Sequence, residues 1–287
     1  MKGIQTMIRI ITDSAADFTP EELKSLRLTC CPMQITFGVD SYEDGVELSA
    51  ETFWKRIMSG ENPKTSQPSP DVFLTAFEEA AAAGDEVICI LISSALSGTV
   101  QSALLAKGMA DGVKVHVVDS LLAATAEKLL VLYACRLRDE GRLTAAQIAQ
   151  KLESYKTRVR ICVSLDTLDY LARGGRIPKA AASLGSMVQL KPLVSITESG
   201  HLEMVGKGLG SHRAAQALLT HIGKFDIDEN EPCWPVYTYS TANAESFVKK
   251  LNQHGIACSM DDAAPIGATV ATHTGPGTYG LVFVAKA

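Results

Sequence analysis

The sequence has no run of 18 or more apolar residues, so no segment is long enough for an apolar transmembrane helix. Its first ten residues, MKGIQTMIRI, also lack the apolar core and cleavage site of a secretory signal peptide. The seven cysteines include no C-x-x-C pair and show no spacing typical of a disulfide framework or a zinc site. We therefore expect a cytoplasmic protein that holds no metal.

Motifs of the common nucleotide and hydrolase sites are missing as well. The chain contains no G-x-x-x-x-G-K-[ST] phosphate loop, no G-x-S-x-G nucleophile elbow and no H-E-x-x-H zinc motif. A formal net charge of -5 without a basic block argues against nucleic acid as a partner, because neutralising phosphates requires clustered Lys and Arg. We expect no cofactor.

One glycine-rich stretch does match a nucleotide motif by its letters. GPGTYG, residues 275–280, reads as the G-x-G-x-x-G fingerprint of dinucleotide-binding proteins. That fingerprint requires a preceding strand, a following helix and an acidic residue about 20 positions further on. Only the strand-like LVFVAKA follows here, and Pro276 removes a backbone N–H from the turn. We reject the dinucleotide interpretation.

The first half of the chain alternates strand and helix patterns, which is typical of a parallel sheet covered on both faces. The strands are MIRIITDS, CPMQITF, EVICILIS and VKVHVVDS, and the helices follow DFTP, SPDV and SGTV and then cover about 121–140 and 144–158. Thr19, Pro20 and Glu22 form a capping box, while Ser69, Pro70 and Gly84 bound the second helix.

The second half carries more strands and fewer helices. The predicted strands are VRICVSL, PLVSITES, HLEMVGK, PVYTYST, IGATVATHT and YGLVFVAK, with a hairpin turning at Ser199 and Gly200. The predicted helices are LDYLARG, HRAAQALLTHIG and NAESFVKKLNQHG. The fold class is therefore α/β in two domains: a parallel-sheet α/β domain over 7–158 and an α+β domain with a mostly antiparallel sheet over 159–287.

The loop ISSALSGT, residues 92–99, predicts a site for an anionic group. It joins the carboxyl end of a strand to a helix N-terminus near Ser97, where unpaired N–H groups and the helix dipole favour negative charge. Hydroxyls of four residues could join them: Ser93, Ser94, Ser97 and Thr99. The competing interpretation is that these serines only cap the helix.

Three further features carry chemistry in principle. Two predicted strands end in Asp-Ser, at Asp13-Ser14 and Asp119-Ser120. These pairs lie at the carboxyl edge of the sheet, where ligands of open α/β sheets bind. The alternative is that they only cap the helices that follow. Arg173 and Arg176 flank a glycine pair. One interpretation is that their guanidinium groups face an oxyanion or a partner protein. The other is that they lie in a solvated turn. His273, inside the glycine-rich stretch, is the histidine to single out. Hydroxyl-rich loops favour binding of an acidic molecule over catalysis.

Several stretches together resemble the DegV family, in the expected order and over about 8–283. They are IITDSAADFTPEE, KTSQPSP, ISSALSGTVQSA, LDYLARGGRI, LGSMVQLKPLVSITESGHL and IGATVATHTGPGTYGLVF. The resemblance implies a bacterial fatty-acid-binding protein of two α/β domains, with the acyl chain in a buried tunnel and its carboxylate at the interdomain cleft. It also implies no catalysis by this chain, and presentation of the fatty acid to a separate ATP-using kinase subunit that forms the acyl phosphate.

Site residues carried over by motif are expected at the carboxylate: Thr65, Ser66, Ser97, His273 and Thr274. Arg173 is expected beside the head group or facing the kinase. The chain departs from the family pattern after VVDS, where LLAATAEKLLV replaces a Ser-Met-Gly type helix start. The alternative is an enzyme that acts on a small anionic metabolite through Ser97 or His273.

Overall fold

A computed structural model describes residues 7–177 and 189–286 and divides the chain into two compact units. The first unit comprises the chain up to Ser49 together with Thr65–Thr157. The second comprises Ala50–Lys64 together with the chain from Arg158 onward. The predicted border at 158 stays a prediction, and the grouping of Ala50–Lys64 with the second unit is a feature that the sequence patterns did not indicate.

The first unit is built on a parallel sheet. Its elements are β1 (Ile8–Asp13), α1 (Pro20–Ser25), β2 (Leu28–Cys31), β3 (Gln34–Phe37), β4 (Asp40–Glu43), β5 (Lys64–Ser66), α3 (Pro70–Ala83), β6 (Glu86–Leu91), α4 (Thr99–Met109), β7 (Val115–Asp119), α5 (Thr125–Asp139) and α6 (Ala145–Lys156). The main sheet has the order β2-β1-β6-β7, with every pairing parallel. A small second sheet has the order β4-β3-β5. The parallel sheet of the prediction is confirmed, except that CPMQITF contributes β3 of the small sheet and the preceding β2 is the strand that pairs with β1.

Helices cover both faces of the parallel sheet. Phe73 and Phe77 of α3 and Ala103 of α4 pack against Val87 and Leu91 of β6. α5 and α6 contact the sheet as well, α5 through β1 and β6 and α6 through β6 and β7. Because both faces are covered, the strands read as continuous apolar runs in the sequence.

Local signals set the ends of several helices as predicted. The side chain of Thr19 accepts a hydrogen bond from the Glu22 N–H, and the Glu22 carboxylate accepts one from the Thr19 N–H, so the capping box is formed. α3 starts at Pro70 and stops at Gly84, which has a φ of 75°. α5 begins at Thr125 rather than near 121, because the turn after β7 occupies the intervening residues.

The second unit contains α2 (Ala50–Met58), β8 (Val159–Ser164), α7 (Asp169–Arg173), β9 (Leu190–Ile196), β10 (Leu202–Leu209), α8 (Gly210–Ile222), β11 (Cys233–Tyr237), α9 (Ala242–Gln253), β12 (Ala264–Pro265), α10 (Ala268–Thr274) and β13 (Tyr279–Val284). Its sheet has the order β10-β9-β8-β13-β11-β12 and is antiparallel except for the β11–β12 pair. α8 and α9 bury Leu218 and Phe247 against Leu281 and Phe283 of β13. The mostly antiparallel sheet and the β9–β10 hairpin agree with the prediction.

One predicted strand is wrong. IGATVATHT forms the helix α10 instead, and Gly267 is its N-cap residue. Thr269, Ala271 and Thr272 are its buried residues, a spacing that suits one side of a helix, and the Thr272 hydroxyl donates to the Ala268 carbonyl one turn back. A short apolar run does not distinguish a strand from a buried helix by its periodicity, and the β-branched residues here favoured the strand.

Asp13 and Glu127 are the two most deeply buried of the described acidic side chains of the first unit. Asp13 is 1% exposed and Glu127 is 0% exposed. Burial raises the pKa of Asp13 to about 7, although its carboxylate accepts hydrogen bonds from the Ile92 and Ala15 N–H groups. Burial also raises the pKa of Glu127 well above its ordinary value, and the charge of Asp13 adds to the effect. Both groups hold their proton more tightly in the folded chain.

We predict that these buried acids reduce stability as the pH rises. Between the ordinary value of 3.8 and about 7, Asp13 ionises in the unfolded chain but stays protonated in the folded one. The free energy of unfolding therefore falls across this window, by at most about 4 kcal/mol from Asp13 at about 1.4 kcal/mol per pH unit. Urea unfolding at a series of pH values should show a smaller fall in Asp13→Asn than in wild type. Parallel curves for the two proteins would contradict this assignment.

Candidate functional site

The loop that follows β6 is held from both sides by the two strand-ending aspartates. Asp13, at the end of β1, accepts a hydrogen bond from the Ile92 N–H at 2.9 Å. Asp119, at the end of β7, accepts one from the Ser94 N–H at 3.1 Å. Each carboxylate also accepts from a backbone N–H two residues further along its own chain segment. The two Asp-Ser pairs therefore close local turns and fix the hydroxyl-rich loop.

Ser97 does not cap α4, so the capping interpretation of this serine is wrong. The N-cap residue is Gly98, which offers no side chain, and no side-chain cap hydrogen bond is formed. Instead, the Ser97 and Thr99 hydroxyls are hydrogen-bonded to each other at 2.8 Å. Among the described residues the α4 N-terminus thus has no side-chain cap, so its dipole and first N–H groups suit another acceptor, with two hydroxyls beside them.

Thr65 and Ser66 belong to β5, and the residue after them connects this strand to the Ser97 loop. The Gln67 amide donates to the Ser102 hydroxyl of α4 at 3.1 Å. Its Oε1 lies only 2.2 Å from where a Cβ would stand on Gly98. A side chain at position 98 would therefore collide with Gln67. This contact joins the two hydroxyl-bearing segments within the first unit.

The glycine-rich stretch lies in the second unit and connects α10 to β13. The dinucleotide fingerprint requires the opposite order, a strand before the glycines and a helix after them. The structure therefore agrees with the sequence argument against dinucleotide binding. Gly275 has a φ of 71°, and a Cβ there would meet the Tyr170 ring at 2.4 Å. The Gly275 carbonyl accepts a hydrogen bond from the Thr238 hydroxyl at 2.8 Å. The turn needs glycine because both its conformation and its neighbour exclude a side chain.

His273 packs onto the glycine pair that follows α7. A Cβ on Gly174 would lie 2.1 Å from the His273 Nδ1 atom, so position 174 must be glycine for the ring to stand where it does. Burial, together with the charge of Arg176, lowers the pKa of His273 to about 4. The imidazole is therefore neutral at physiological pH. A neutral ring carries one N–H donor and one acceptor nitrogen.

Thr274, next to His273, presents a hydroxyl that the rest of the described chain leaves unused. Its Oγ1 atom is buried and has no hydrogen-bond partner among the residues that the structure describes. Leaving a buried hydroxyl without a partner costs about 1–3 kcal/mol, so such atoms require an explanation. A ligand oxygen would supply the missing partner.

Arg173 is exposed at the end of α7 and is held by two contacts. Its guanidinium lies over the Tyr170 ring at 4.6 Å from the centroid. Its Nη1 donates to the Oδ1 of Asn62, which lies in the segment that groups with the second unit. The sequence patterns gave no signal for Asn62, because the contact joins residues 111 positions apart. Arg173 is therefore an oriented side chain rather than part of a solvated turn.

The predicted site residues thus fall into two sets. Thr65, Ser66 and Ser97 belong to the first unit, whereas Arg173, His273 and Thr274 belong to the second. Within each unit, packing against glycine brings the members of the set onto neighbouring segments. Their assignment to a carboxylate stays a prediction. Across 7–177 and 189–286, no group of three or more His, Cys, Asp and Glu side chains is arranged to hold a metal ion, and no helix is suited to span a bilayer.

Comparison with known proteins identifies the class. Residues 7–286 match the profile of the family described as "Uncharacterised protein, DegV family". The DegV domain-containing protein YteA of Lactococcus lactis is 33% identical over 287 residues, which is 97% of this chain and 98% of that protein. The chain belongs to the DegV family.

Two solved structures share the fold. The first is described as showing fatty acid binding of a DegV family protein from Thermus thermophilus; it is 29% identical, has a TM-score of 0.85, and the match covers 98% of this chain and 100% of that one. The second is the fatty acid kinase B3 protein of Streptococcus pneumoniae loaded with linoleic acid; it is 21% identical, has a TM-score of 0.83, and the match again covers 98% and 100%. At that identity, the second likeness is one of fold.

We predict that the His273 ring titrates far below an ordinary histidine. Its pKa of about 4, against an ordinary 6.5, means that the ring stays neutral throughout the physiological range. NMR of ¹⁵N-histidine-labelled protein should give a midpoint near 4, and Arg176→Gln should raise it because a neighbouring positive charge is removed. A midpoint near 6.5 for His273 would show that the ring is not packed as described.

Proposed function

We propose that this chain binds a long-chain fatty acid, holding its carboxylate with hydroxyls and backbone N–H groups, and that it is not itself an enzyme. The observation that carries the proposal is the uncapped N-terminus of α4 beside the Ser97 and Thr99 hydroxyls. A relative of 29% identity over nearly the whole chain is a fatty-acid-binding protein. An anionic head group fits the donors that this loop offers.

The chemistry of the proposed residues suits a carboxylate that must leave water. A buried carboxylate needs a full set of donors to offset its lost hydration. The proposed donors are hydroxyls of Thr65, Ser66, Ser97 and Thr274, and the neutral ring of His273. A neutral His273 ring can donate an N–H without adding a charge, and the Thr274 hydroxyl, which has no partner in the described part of the chain, adds a second donor.

The acyl chain would supply most of the affinity. Burial contributes about 0.8 kcal/mol for each CH₂, so a long chain contributes roughly 10 kcal/mol before the costs of association. The head-group donors then set the direction in which the ligand binds. The proposal therefore assigns affinity to the tail and orientation to the hydroxyl loops.

We further propose that the bound fatty acid is presented to a separate ATP-using kinase subunit. The support is the resemblance to proteins that serve as binding subunits of fatty acid kinase, together with the exposed position of Arg173. A guanidinium can hold a transferring phosphoryl group through two parallel hydrogen bonds, which suits presentation better than storage of the ligand.

We expect the double variant Thr65→Val with Ser97→Ala to bind fatty acid more weakly. Each lost hydrogen bond to a charged group costs about 1.5–3 kcal/mol, so the pair should cost about 3–6 kcal/mol at most. Calorimetry on delipidated protein measures the affinity, and the thermal midpoint monitors the fold.

Ser94→Ala is the matched control, because Ser94 is an exposed serine of the same loop and contributes its backbone N–H to Asp119. It should bind fatty acid as wild type does. Wild-type affinity in the double variant, with the fold intact, would refute the placement of the carboxylate.

We expect Arg173→Ala to separate binding from presentation. The variant should retain its fatty acid affinity, because the hydroxyls and the α4 N-terminus hold the carboxylate. It should lose most of the phosphorylation by an added kinase subunit, because the phosphoryl-binding guanidinium is gone. Both quantities are measured on the same preparation. Arg213→Ala, which removes another exposed arginine of the second unit, should change neither. If affinity and phosphorylation fall together, Arg173 is a head-group ligand.

A further inference from the structure

The segment Ala50–Lys64 groups with the second unit although the chain on both sides of it belongs to the first. Its helix α2 is locked to the residues that follow, because Arg56 donates to both carboxylate oxygens of Glu61 at 2.9 and 2.6 Å. The chain therefore reaches Asn62 in a defined direction. The segment is an ordered part of the second unit rather than a free connection.

Two contacts fasten this segment to the second unit. The Trp54 ring packs on Tyr239, with centroids 5.4 Å apart, and Asn62 accepts a hydrogen bond from Arg173. Tyr239 is 54% exposed and has a φ of 61°, a conformation that non-glycine residues rarely keep without a constraint. A hydrogen bond from the Ser240 N–H to the Thr238 carbonyl at 2.7 Å closes the turn around Tyr239 and supplies this constraint.

Both contacts, Trp54 with Tyr239 and Asn62 with Arg173, connect through neighbouring residues to the turn at Gly275. Tyr239 follows Thr238, whose hydroxyl donates to the Gly275 carbonyl. Arg173 lies over Tyr170, whose ring packs directly onto Gly275. The segment, the arginine and the turn that carries His273 and Thr274 thus form one continuous set of contacts within the second unit.

Asn62 is a neutral hydrogen-bond partner for the Arg173 guanidinium. An amide oxygen accepts one N–H bond but leaves the guanidinium charge uncompensated, whereas a carboxylate would neutralise it. No ion pair to Arg173 is formed within the described residues. Within the described part of the chain, the side chain is thus held by a neutral acceptor while its charge is not compensated, so it can still attract an oxyanion.

We propose that Asn62 is the positioning residue of Arg173: it orients the guanidinium toward an anionic group, the transferring phosphoryl group, without neutralising it. This inference rests on the proposed presentation role of Arg173. Asn62 touches neither the fatty acid nor the phosphoryl group and acts through the arginine alone.

The test compares three variants that separate orientation from charge. Asn62→Ala removes the acceptor, Asn62→Asp keeps an acceptor but adds a neutralising charge, and Asn243→Ala changes an asparagine of α9 in the same unit as a control. We expect Asn62→Ala to lower the kcat of acyl phosphate formation by up to about a hundredfold, the cost of misplacing a reacting group by about 1 Å, with unchanged fatty acid affinity. Asn62→Asp should also lower kcat, although it orders the arginine. In the Arg173→Ala background, Asn62→Ala should cause no further loss.

NMR of the Arg173 guanidinium gives a second measurement that does not depend on a kinase. The signal, assigned by its loss in Arg173→Ala, should move and narrow toward that of a free arginine in Asn62→Ala and stay dispersed in Asn62→Asp and Asn243→Ala. An unchanged Arg173 signal in Asn62→Ala overturns the inference. Wild-type kcat in Asn62→Ala, or a loss that adds to that of Arg173→Ala, overturns it as well. If wild-type protein is not phosphorylated, presentation fails, while the NMR comparison still decides whether Asn62 orients Arg173.

Discussion

Close packing of aromatic rings onto two glycines is the constraint on which the arrangement of Arg173, His273 and Thr274 in the second unit depends. Tyr170 lies against Gly275, and His273 lies against Gly174. These two contacts pack the end of α7 and its turn against the end of α10 and its turn, so each segment holds the other in place. Burial between them keeps His273 neutral, and the Tyr170 ring also packs against the Arg173 guanidinium. A methyl group at either glycine would have to displace a ring from this arrangement.

The first unit fixes the loop that carries Ser97 by hydrogen bonds to buried or half-buried carboxylates instead. Asp13 and Asp119 hold the loop after β6 by two of its backbone N–H groups, from the strands on either side of β6. Burying Asp13 is costly, as the raised pKa shows, and its bonds from Ile92 and Ala15 offset part of that cost. Burying Asp13 to position the loop that carries Ser97 therefore lowers the free energy of unfolding, which is common where a site must be preorganised.

Much of the fold followed from local rules, and the exceptions have physical reasons. Capping boxes, apolar runs and the alternation of strands and helices predicted the parallel sheet, because those signals act over a few residues. The sequence of α10 favours a strand because it is short and rich in β-branched Thr and Val, although it folds as a helix. The spacing in LARGGR and GPGTYG indicates the right segments, but only the structure explains Gly174 and Gly275, since the rings that exclude a side chain there are distant in sequence. Asn62 was missed for the same reason. The fatty acid itself was suggested by resemblance to the DegV family and by no single residue.

The central claim is that the chain holds a long-chain fatty acid, and native mass spectrometry of the purified protein tests it most directly. The account predicts a folded chain that carries the additional mass of one fatty acid, which is lost on delipidation and restored when fatty acid is added back. A chain that keeps its unliganded mass after incubation with long-chain fatty acids, or that retains a small anionic metabolite in their place, would contradict it.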